Sequence, residues 1–263
     1  MIPAFAESTY LGGTLEALRA FLVRHGRLAT TEVIVVTADA PDGTADIARR
    51  ALERFPITQH LEPGAKIGKG RDVRCGMLAA RGDVVLFMDA DLATPLGYID
   101  DAIARIRAGA DIVIGSRDLS RMHRTFGRRL TSQLSNQLVR AVLLPGIADT
   151  QCGFKAFRRA IVAELFEPLA TFGWGFDLEI LARARRAGAR IEELAIPDWH
   201  DPKGDHGLAG ETQWVSRIRT LRELASLTWE HGRQPARQLP PLSLDEPAVI
   251  AAARIDATGT GSN

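Results

Sequence analysis

Short apolar runs alternate along the chain with segments in which apolar residues recur at helical spacing. The apolar runs predict strands at residues 33–36, 84–88, 112–114 and 191–196. The periodic segments predict helices at residues 45–55, 72–80, 98–108, 128–144 and 174–187. This alternation is typical of an α/β domain in which helices flank a mostly parallel sheet. Ligands of such sheets bind beyond the carboxyl ends of the strands, so the residues after each apolar run are the first candidates for a site.

The pattern divides the chain into one domain and two C-terminal segments. Residues 1–210 carry the α/β pattern, with a first strand that is very short unless the protein starts upstream of Met1. Residues 211–232 predict an amphipathic helix, because apolar residues recur at helical spacing with arginines between them. That helix either packs on the domain or lies on a membrane surface. Residues 233–263 are rich in proline and predict a flexible, mobile tail.

Composition narrows the class of protein. The chain has 263 residues, of which 46% are hydrophobic, enough to fill a sizeable core. A net charge of +1 gives no overall field that would attract nucleic acid. Two cysteines do not make a disulfide framework, and no apolar run approaches the roughly 18 to 20 residues that span a bilayer. We therefore expect a cytoplasmic protein, with any membrane contact peripheral at the cytoplasmic face.

Two carboxylates stand where a predicted strand meets solvent. Asp89 and Asp91, separated by Ala90, follow the apolar run at residues 84–88. Side chains two residues apart on a strand point to the same side, so both carboxylates can converge on one divalent cation. Mg²⁺ is commonly held by one or two carboxylates together with the phosphates of a substrate. An isolated pair of this kind is more often a solvated turn, so the surrounding motifs decide the interpretation.

The surrounding motifs carry a family resemblance. They are Pro3-Ala4-Phe5-Ala6-Glu7, Gly68-Lys69-Gly70, Gly76-Met77-Leu78-Ala79-Ala80-Arg81-Gly82, Met88-Asp89-Ala90-Asp91, Asp149-Thr150-Gln151-Cys152-Gly153-Phe154-Lys155 and Phe176-Asp177-Leu178-Glu179. From Pro3 to about Trp199 the chain resembles the family 2 inverting glycosyltransferases, which have the GT-A fold, a Rossmann-like α/β architecture. Within that family it is most similar to the polyprenyl-phosphate sugar transferases, and among these to the dolichyl-phosphate β-glucosyltransferases.

The resemblance implies a donor site for a nucleotide sugar, with UDP-glucose favoured and GDP-mannose as the alternative. Asp91 would ligate Mg²⁺ or Mn²⁺, Asp89 would lie by the metal and the ribose, and His206 is a candidate further ligand. Asp177 and Glu179 fall in the family's catalytic-base region, and Asp91 completes the implied catalytic set. The implied donor-binding residues are Pro3, Ala4, Glu7, Asp39, Lys69, Asp89, Ala90 and Asp91.

The acceptor side is marked by arginines. Arg117 and Arg128 belong to a basic cluster, and the segment around Arg128 and Ser132 resembles the one that holds the lipid phosphate in dolichyl-phosphate mannosyltransferases. On a helix these two residues share a face and could present a guanidinium and a hydroxyl to one phosphate. The alternative is a basic helix that faces solvent or DNA, of which DNA is the weaker because no recognised nucleic-acid module accompanies the charge. The implied sugar pocket consists of Gln151, Gly153, Trp174 and Phe176, although aromatic residues more often pack in a core.

The chain departs from its family on the nucleobase side. Thr37 and Ala38 stand where the family has two aspartates, Asp39 could substitute by a small shift, and Ala6 replaces the usual asparagine. Because of these departures, the sequence does not determine which nucleobase the donor carries. Two other functions stay open as well: transfer to a soluble hydroxyl acceptor, and a catalytically silent protein that binds a nucleotide sugar.

Overall fold

A computed structural model describes residues 1–117, 144, 146–173 and 175–202. Nearly all of the predicted helix at residues 128–144, and the whole of the predicted C-terminal helix and tail, lie outside these residues. The described strands are β1 Ile2–Ala4, β2 Val33–Thr37, β3 Thr58–Leu61, β4 Val84–Met88, β5 Ile112–Arg117, β6 Phe154–Arg158 and β7 Ile191–Ile196. The described α-helices are α1 Leu11–Arg24, α2 Thr44–Leu52, α3 Lys69–Ala79, α4 Tyr98–Arg107, α5 Arg159–Phe166 and α6 Phe176–Arg186.

The strands form one mixed sheet. Strands β1, β2 and β3 are parallel neighbours, and a second group has the order β4-β6-β5-β7. The two groups meet at Met1, whose carbonyl accepts a hydrogen bond from the Met88 N–H at 3.1 Å and whose nitrogen donates to the Leu86 carbonyl at 2.6 Å. Only β6 runs against its neighbours in the described sheet, since it is antiparallel to both β4 and β5. The predicted mostly parallel sheet is confirmed.

Helices cover both faces of the sheet. Helices α1, α2 and α4 pack on one face, and α3, α5 and α6 pack on the other. Along β2, Val33 and Val35 join the first core while Ile34 and Val36 join the second. A strand buried on both faces reads as a continuous apolar run, which explains why β2 and β4 are recognisable in the sequence. Among the described helices, none combines the length and the apolar composition needed to cross a bilayer.

The four predicted strands and the predicted helices at residues 45–55, 72–80, 98–108 and 174–187 are confirmed within a few residues. Helices α1 and α5 and strands β3 and β6 complete the fold. Strand β3 is missed because it reads Thr58-Gln59-His60-Leu61 and is only partly buried at the sheet edge, so it carries no apolar run. Strand β1 covers the three residues Ile2–Ala4.

Candidate active site

The two aspartates lie at the carboxyl end of β4, where the sequence predicts them. The Asp89 N–H donates to the Gly153 carbonyl at 3.1 Å, and an oxygen of Asp91 accepts a hydrogen bond from the Ala93 N–H at 3.2 Å. Lys69, the first residue of α3, places its ammonium on Oδ1 of Asp89. Burial alone would lower the pKa of Lys69, but the charges of the nearby aspartates raise it above its ordinary value. Three chain segments therefore meet at one carboxylate.

Gly153 allows the close approach of the chain to Asp89. A Cβ built on Gly153 would lie 1.8 Å from Oδ2 of Asp89, a distance that no side chain can occupy. Gly153 directly precedes β6, which pairs with β4 in antiparallel register with Phe154 opposite Met88. The predicted sugar-pocket residue Gly153 is thus brought against the predicted metal ligand.

The two aspartates fit a divalent cation of the kind that shares its coordination with phosphates. Within the described ranges, no three His, Cys, Asp or Glu side chains come together as a complete protein cage. Mg²⁺ and Mn²⁺ accept carboxylate oxygens, and Mg²⁺ usually keeps several positions for water and substrate oxygens. Asp91 and Asp89 would hold such a cation. His206 lies outside the described residues, so its role as a ligand stays a prediction.

A buried ion pair lies near the two aspartates, beneath the carboxyl end of β4. Lys155 Nζ donates to Oδ1 of Asp177 and to the Cys152 carbonyl, both at 2.6 Å, and the Phe87 ring lies 5.3 Å away. The side chain of Lys155 is 1% exposed and that of Asp177 8% exposed. Burial raises the pKa of Asp177, while the positive charges of Lys155 and Lys69 oppose the rise. The pair fixes the chain at Cys152, next to the glycine that touches Asp89.

The contacts of Glu179 hold two parts of the fold together. Its fully buried carboxylate accepts hydrogen bonds from the N–H groups of Ala170 and Thr171, at 3.1 and 2.8 Å, and from the guanidinium of Arg183 at 2.7 Å. These bonds tie α6 to the loop before it. Phe176 is also fully buried, and its ring lies 6.1 Å from that of Phe87. Its position is that of a core residue, the more common place of an aromatic side chain, and its role in the sugar pocket stays a prediction.

Arg117 is engaged by a neighbouring carboxylate. Its Nε donates to Oδ2 of Asp149 at 2.6 Å and its Nη2 to Oδ1 at 2.9 Å, a bidentate pair. Burial would raise the pKa of Asp149, but Arg117 holds it below its usual range. Asp149 Oδ1 also accepts from the Gln151 N–H at 3.2 Å. A phosphate could use only the remaining N–H groups of Arg117, and Arg128, Ser132 and Trp174 lie outside the described residues.

The residues that depart from the family pattern on the nucleobase side lie at the end of β2. Thr37 Oγ1 lies 2.8 Å from Nε2 of His60 on β3, and Ala38 is buried. Asp39 is exposed and its N–H donates to the Gly64 carbonyl at 3.1 Å. His60 is a residue that the sequence reasoning missed, because nothing in a short polar strand marks it as a neighbour of Thr37. The Thr37 hydroxyl, in contact with the His60 ring, and the methyl group of Ala38 thus stand at the two sequence positions where the family has aspartates.

The other donor-side predictions gather at the end of β1. Pro3 and Ala4 are buried in that strand, and the Glu7 N–H donates to Oγ1 of Thr44 at 2.9 Å. The ammonium of Lys66 lies 3.4 Å from the centre of the Phe5 ring, a cation–π contact that the sequence does not signal. This cluster lies on the β1–β2 side of the sheet, whereas Lys69 and Asp89 lie at β4.

Comparison with known proteins settles the family. Residues 1–166 match the model described as Glycosyl transferase family 2. This chain belongs to glycosyl transferase family 2. Its relatives include the dolichyl-phosphate beta-glucosyltransferase of Drosophila melanogaster, which is 33% identical over 239 residues, covering 84% of this chain and 72% of the relative. The family 2 resemblance inferred from the motifs is thereby confirmed.

Other family 2 relatives are longer than this chain. Glycosyltransferase AglD of Haloferax volcanii is 34% identical over 212 residues, which cover 78% of this chain and 33% of that protein. A dolichyl-phosphate beta-glucosyltransferase of Trichomonas vaginalis is 33% identical over 216 residues, which cover 78% of this chain and 66% of the relative. This chain thus spans a third of the first relative and about two thirds of the second.

Solved structures confirm the GT-A fold of this family 2 chain. Mannosyl-3-phosphoglycerate synthase from Rubrobacter xylanophilus has a TM-score of 0.65 at 19% identity, covering 92% of this chain and 76% of that one. Glucosyl-3-phosphoglycerate synthase from Mycobacterium tuberculosis, in complex with Mn²⁺, uridine-diphosphate and phosphoglyceric acid, has a TM-score of 0.63 at 18% identity, covering 86% and 76%.

The departure at Ala6 has a measurable cost. Ala6 has a φ of 55°, in the left-handed region that disfavours residues with a Cβ, and asparagine, usual in the family at this position, tolerates it better. We expect Ala6→Gly to raise the free energy of unfolding by about 1 kcal/mol, measured by urea denaturation. As a control, Ala20→Gly on the exposed face of α1 should lower it by about 0.5–1 kcal/mol. Destabilisation by both changes would contradict the left-handed conformation of Ala6.

Proposed function

We propose that this chain is a metal-dependent inverting glycosyltransferase that moves a hexose, glucose in the first instance, from a nucleotide sugar to a polyprenyl phosphate. UDP-glucose is the favoured donor and GDP-mannose the alternative. The carrying observation is the pair Asp89 and Asp91 at the carboxyl end of β4, with Lys69 beside it. The names of the glucosyltransferase relatives support the acceptor class, and a structural neighbour that binds Mn²⁺ and uridine-diphosphate supports the donor class.

The donor half of the site supplies positive charge to a leaving diphosphate. A divalent cation, when bound, would neutralise the charge that develops on the departing nucleoside diphosphate. Asp91 and Asp89 hold and orient that cation through their carboxylate oxygens. Lys69 adds a second positive charge from the first turn of α3, within reach of the same diphosphate. These residues favour one in-line displacement at the anomeric carbon, with inversion.

The buried state of Asp177 and Glu179 favours a phosphate acceptor. A sugar hydroxyl must lose a proton during transfer and needs a general base, whereas a phosphate monoester is already anionic at neutral pH. Asp177 is paired with Lys155, and Glu179 accepts bonds from Ala170, Thr171 and Arg183. Both carboxylates are therefore suited to positioning the chain and not to taking a proton.

Glycolipid formation tests the proposal. The purified chain is incubated with radiolabelled UDP-glucose, Mn²⁺ and a short polyprenyl phosphate, and the lipid fraction is analysed for labelled hexose. We expect a β-linked glycolipid that fails to form when EDTA is added. Absence of glycolipid from UDP-glucose, GDP-mannose and other nucleotide sugars, beside a competent control enzyme, would contradict the proposal.

The acceptor assignment makes a separate prediction. Arg128→Ala and Ser132→Ala should each lower transfer to polyprenyl phosphate by about tenfold or more, because each removes a partner of the acceptor phosphate. Under the rival function, transfer to a soluble hydroxyl acceptor, both variants would leave the rate unchanged. Arg24→Ala, in the last turn of α1, serves as the control for loss of an exposed arginine.

Gly153 provides a further prediction. Gly153→Ala should lower kcat/KM by about a hundredfold, since the added methyl group must displace the Asp89 carboxylate, and small displacements in a site have effects of this size. Gly97→Ala is the matched control, because a Cβ at Gly97 meets nothing within 4 Å. Equal activity of the two variants would show that the approach of Gly153 to Asp89 is irrelevant to transfer.

The atypical nucleobase side favours one second candidate, a catalytically silent protein that binds a nucleotide sugar. The observation behind it is the contact between Thr37 and His60 in place of an acid. Calorimetric binding of UDP with Mn²⁺ that Asp91→Ala abolishes, without any turnover, would favour this function. For the active enzyme we propose a cytoplasmic location, with peripheral contact at the membrane that carries the lipid acceptor.

A further inference from the structure

The ammonium of Lys69 is paired with the carboxylate of Asp89, which is one of the two proposed ligands of the cation. Lys69 Nζ contacts Oδ1 of Asp89, and Oδ2 of the same carboxylate lies against the backbone of Gly153. The Lys69 side chain is 25% exposed and that of Asp89 33% exposed, so the pair faces the open edge of the sheet. A cation that binds Oδ1 competes with the ammonium, because both positive groups are attracted to the same oxygen and repel each other.

Lys69 is more exposed than the second lysine of the site, with 25% of its side chain accessible against 1% for Lys155. Lys155 is fully buried and holds both Asp177 and the Cys152 carbonyl at 2.6 Å. Lys69 carries its ammonium on a flexible four-carbon stem at the first position of α3, at the partly exposed edge. The negative charge of Asp177 also attracts Lys69, which keeps the ammonium near the site after it leaves Asp89.

We propose that Lys69 is an exchangeable counter-ion: it sits on Asp89 until metal and nucleotide arrive together, and then moves to the diphosphate. This inference rests on the proposed function. Its consequence is coupled binding, because the metal alone displaces the ammonium from Asp89 and brings no new anion for it. The incoming diphosphate supplies a new anionic partner for the displaced ammonium. Metal and nucleotide therefore strengthen each other's binding, and the effect is reciprocal.

Calorimetry on the purified chain tests the exchange at 0.15 M salt, with Mn²⁺ alone and with UDP in the presence of saturating Mn²⁺. Lys69→Met should bind Mn²⁺ alone about tenfold more tightly than the wild type, since a charge-assisted hydrogen bond no longer competes. The same variant should bind UDP with Mn²⁺ about tenfold more weakly. Opposite changes from one substitution are the signature of a residue that exchanges partners.

Two further variants separate exchange from a general effect of charge. Lys69→Arg keeps the positive charge and should bind Mn²⁺ alone as weakly as the wild type. Lys66→Met removes a charge from the segment just before α3, but this lysine lies over Phe5 and not on Asp89, so the Mn²⁺ affinity of the variant should stay within about twofold at this salt. In a crystal structure with Mn²⁺ and UDP, Lys69 Nζ should contact the diphosphate and no longer Asp89.

The outcomes that overturn the inference differ from those that overturn the proposed function. If Lys69→Met binds Mn²⁺ alone no more tightly than the wild type, or if Nζ stays on Asp89 in the complex, exchange is wrong. If the wild type binds neither Mn²⁺ nor UDP, the donor site itself is wrong. Unfolding midpoints of Lys69→Met and Lys69→Arg close to that of the wild type show that the comparison is between folded proteins.

Discussion

Asp91→Ala is expected to lower kcat/KM for glycolipid formation by about a thousandfold, with little change in the unfolding midpoint. The carboxylate of Asp91 follows β4 at the sheet edge and is the main proposed ligand of the cation that stabilises the leaving diphosphate. Without it, Asp89 alone must hold the cation while also facing Lys69. The cation is then too weakly held and poorly placed at the moment when charge develops on the diphosphate.

The control for Asp91 is another aspartate of the same strand region. Asp83 lies just before β4, at the opposite end from the site, and its side chain is exposed. Asp83→Ala should therefore keep wild-type activity. If Asp91→Ala retains activity within about tenfold of the wild type at saturating metal, the aspartate pair is not the cation site.

Lys155→Met should lower the free energy of unfolding by about 3–5 kcal/mol, the effect expected when one partner of a buried ion pair is removed. The variant leaves the buried carboxylate of Asp177 without its hydrogen-bonded cation, with only the more distant Lys69 to offset its charge. It also releases the Cys152 carbonyl, which Lys155 holds at 2.6 Å. Because Cys152 precedes the glycine that touches Asp89, catalysis should fall along with stability. Urea denaturation measures the first effect.

A double variant separates loss of the pair from loss of one charge. Lys155→Met combined with Asp177→Leu removes both charges and should recover most of the lost stability, since apolar side chains can replace a buried pair. The exposed pair Arg49 and Asp46 is the contrast: Arg49→Met should leave the unfolding midpoint close to that of the wild type, because solvent screens this pair. A double variant as unstable as the single one would show that Asp177 carries no uncompensated charge when Lys155 is absent.

Sequence patterns predict the position of the two aspartates, because this position depends on a single strand. The apolar run of β4 ends at Met88, so Asp89 and Asp91 can be placed at its carboxyl end without knowledge of the tertiary structure. The contact of Gly153 with Asp89 cannot be predicted in this way. It depends on the antiparallel pairing of β6 with β4, in which Phe154 stands opposite Met88, and that register is set by packing between distant segments.

Burial of charged groups is the other feature that sequence patterns do not show. Lys155 reads as part of a motif and Asp177 as a candidate base, yet the structure buries both and pairs them. Glu179 is buried as well, and its carboxylate accepts hydrogen bonds from the loop before α6. The residue types are known from the sequence, but the desolvation that decides their chemistry arises only when α6 packs on the sheet.

We propose above all that Asp89 and Asp91 bind the diphosphate of a nucleotide through a divalent cation. Calorimetric titration of UDP into the full chain, with Mn²⁺ and then with EDTA, tests it most directly. We predict that UDP binds in the presence of Mn²⁺ and that EDTA weakens this binding by about a hundredfold or more. The Asp91→Ala substitution should weaken it to a similar extent. UDP binding of equal strength in Mn²⁺ and EDTA would contradict the account.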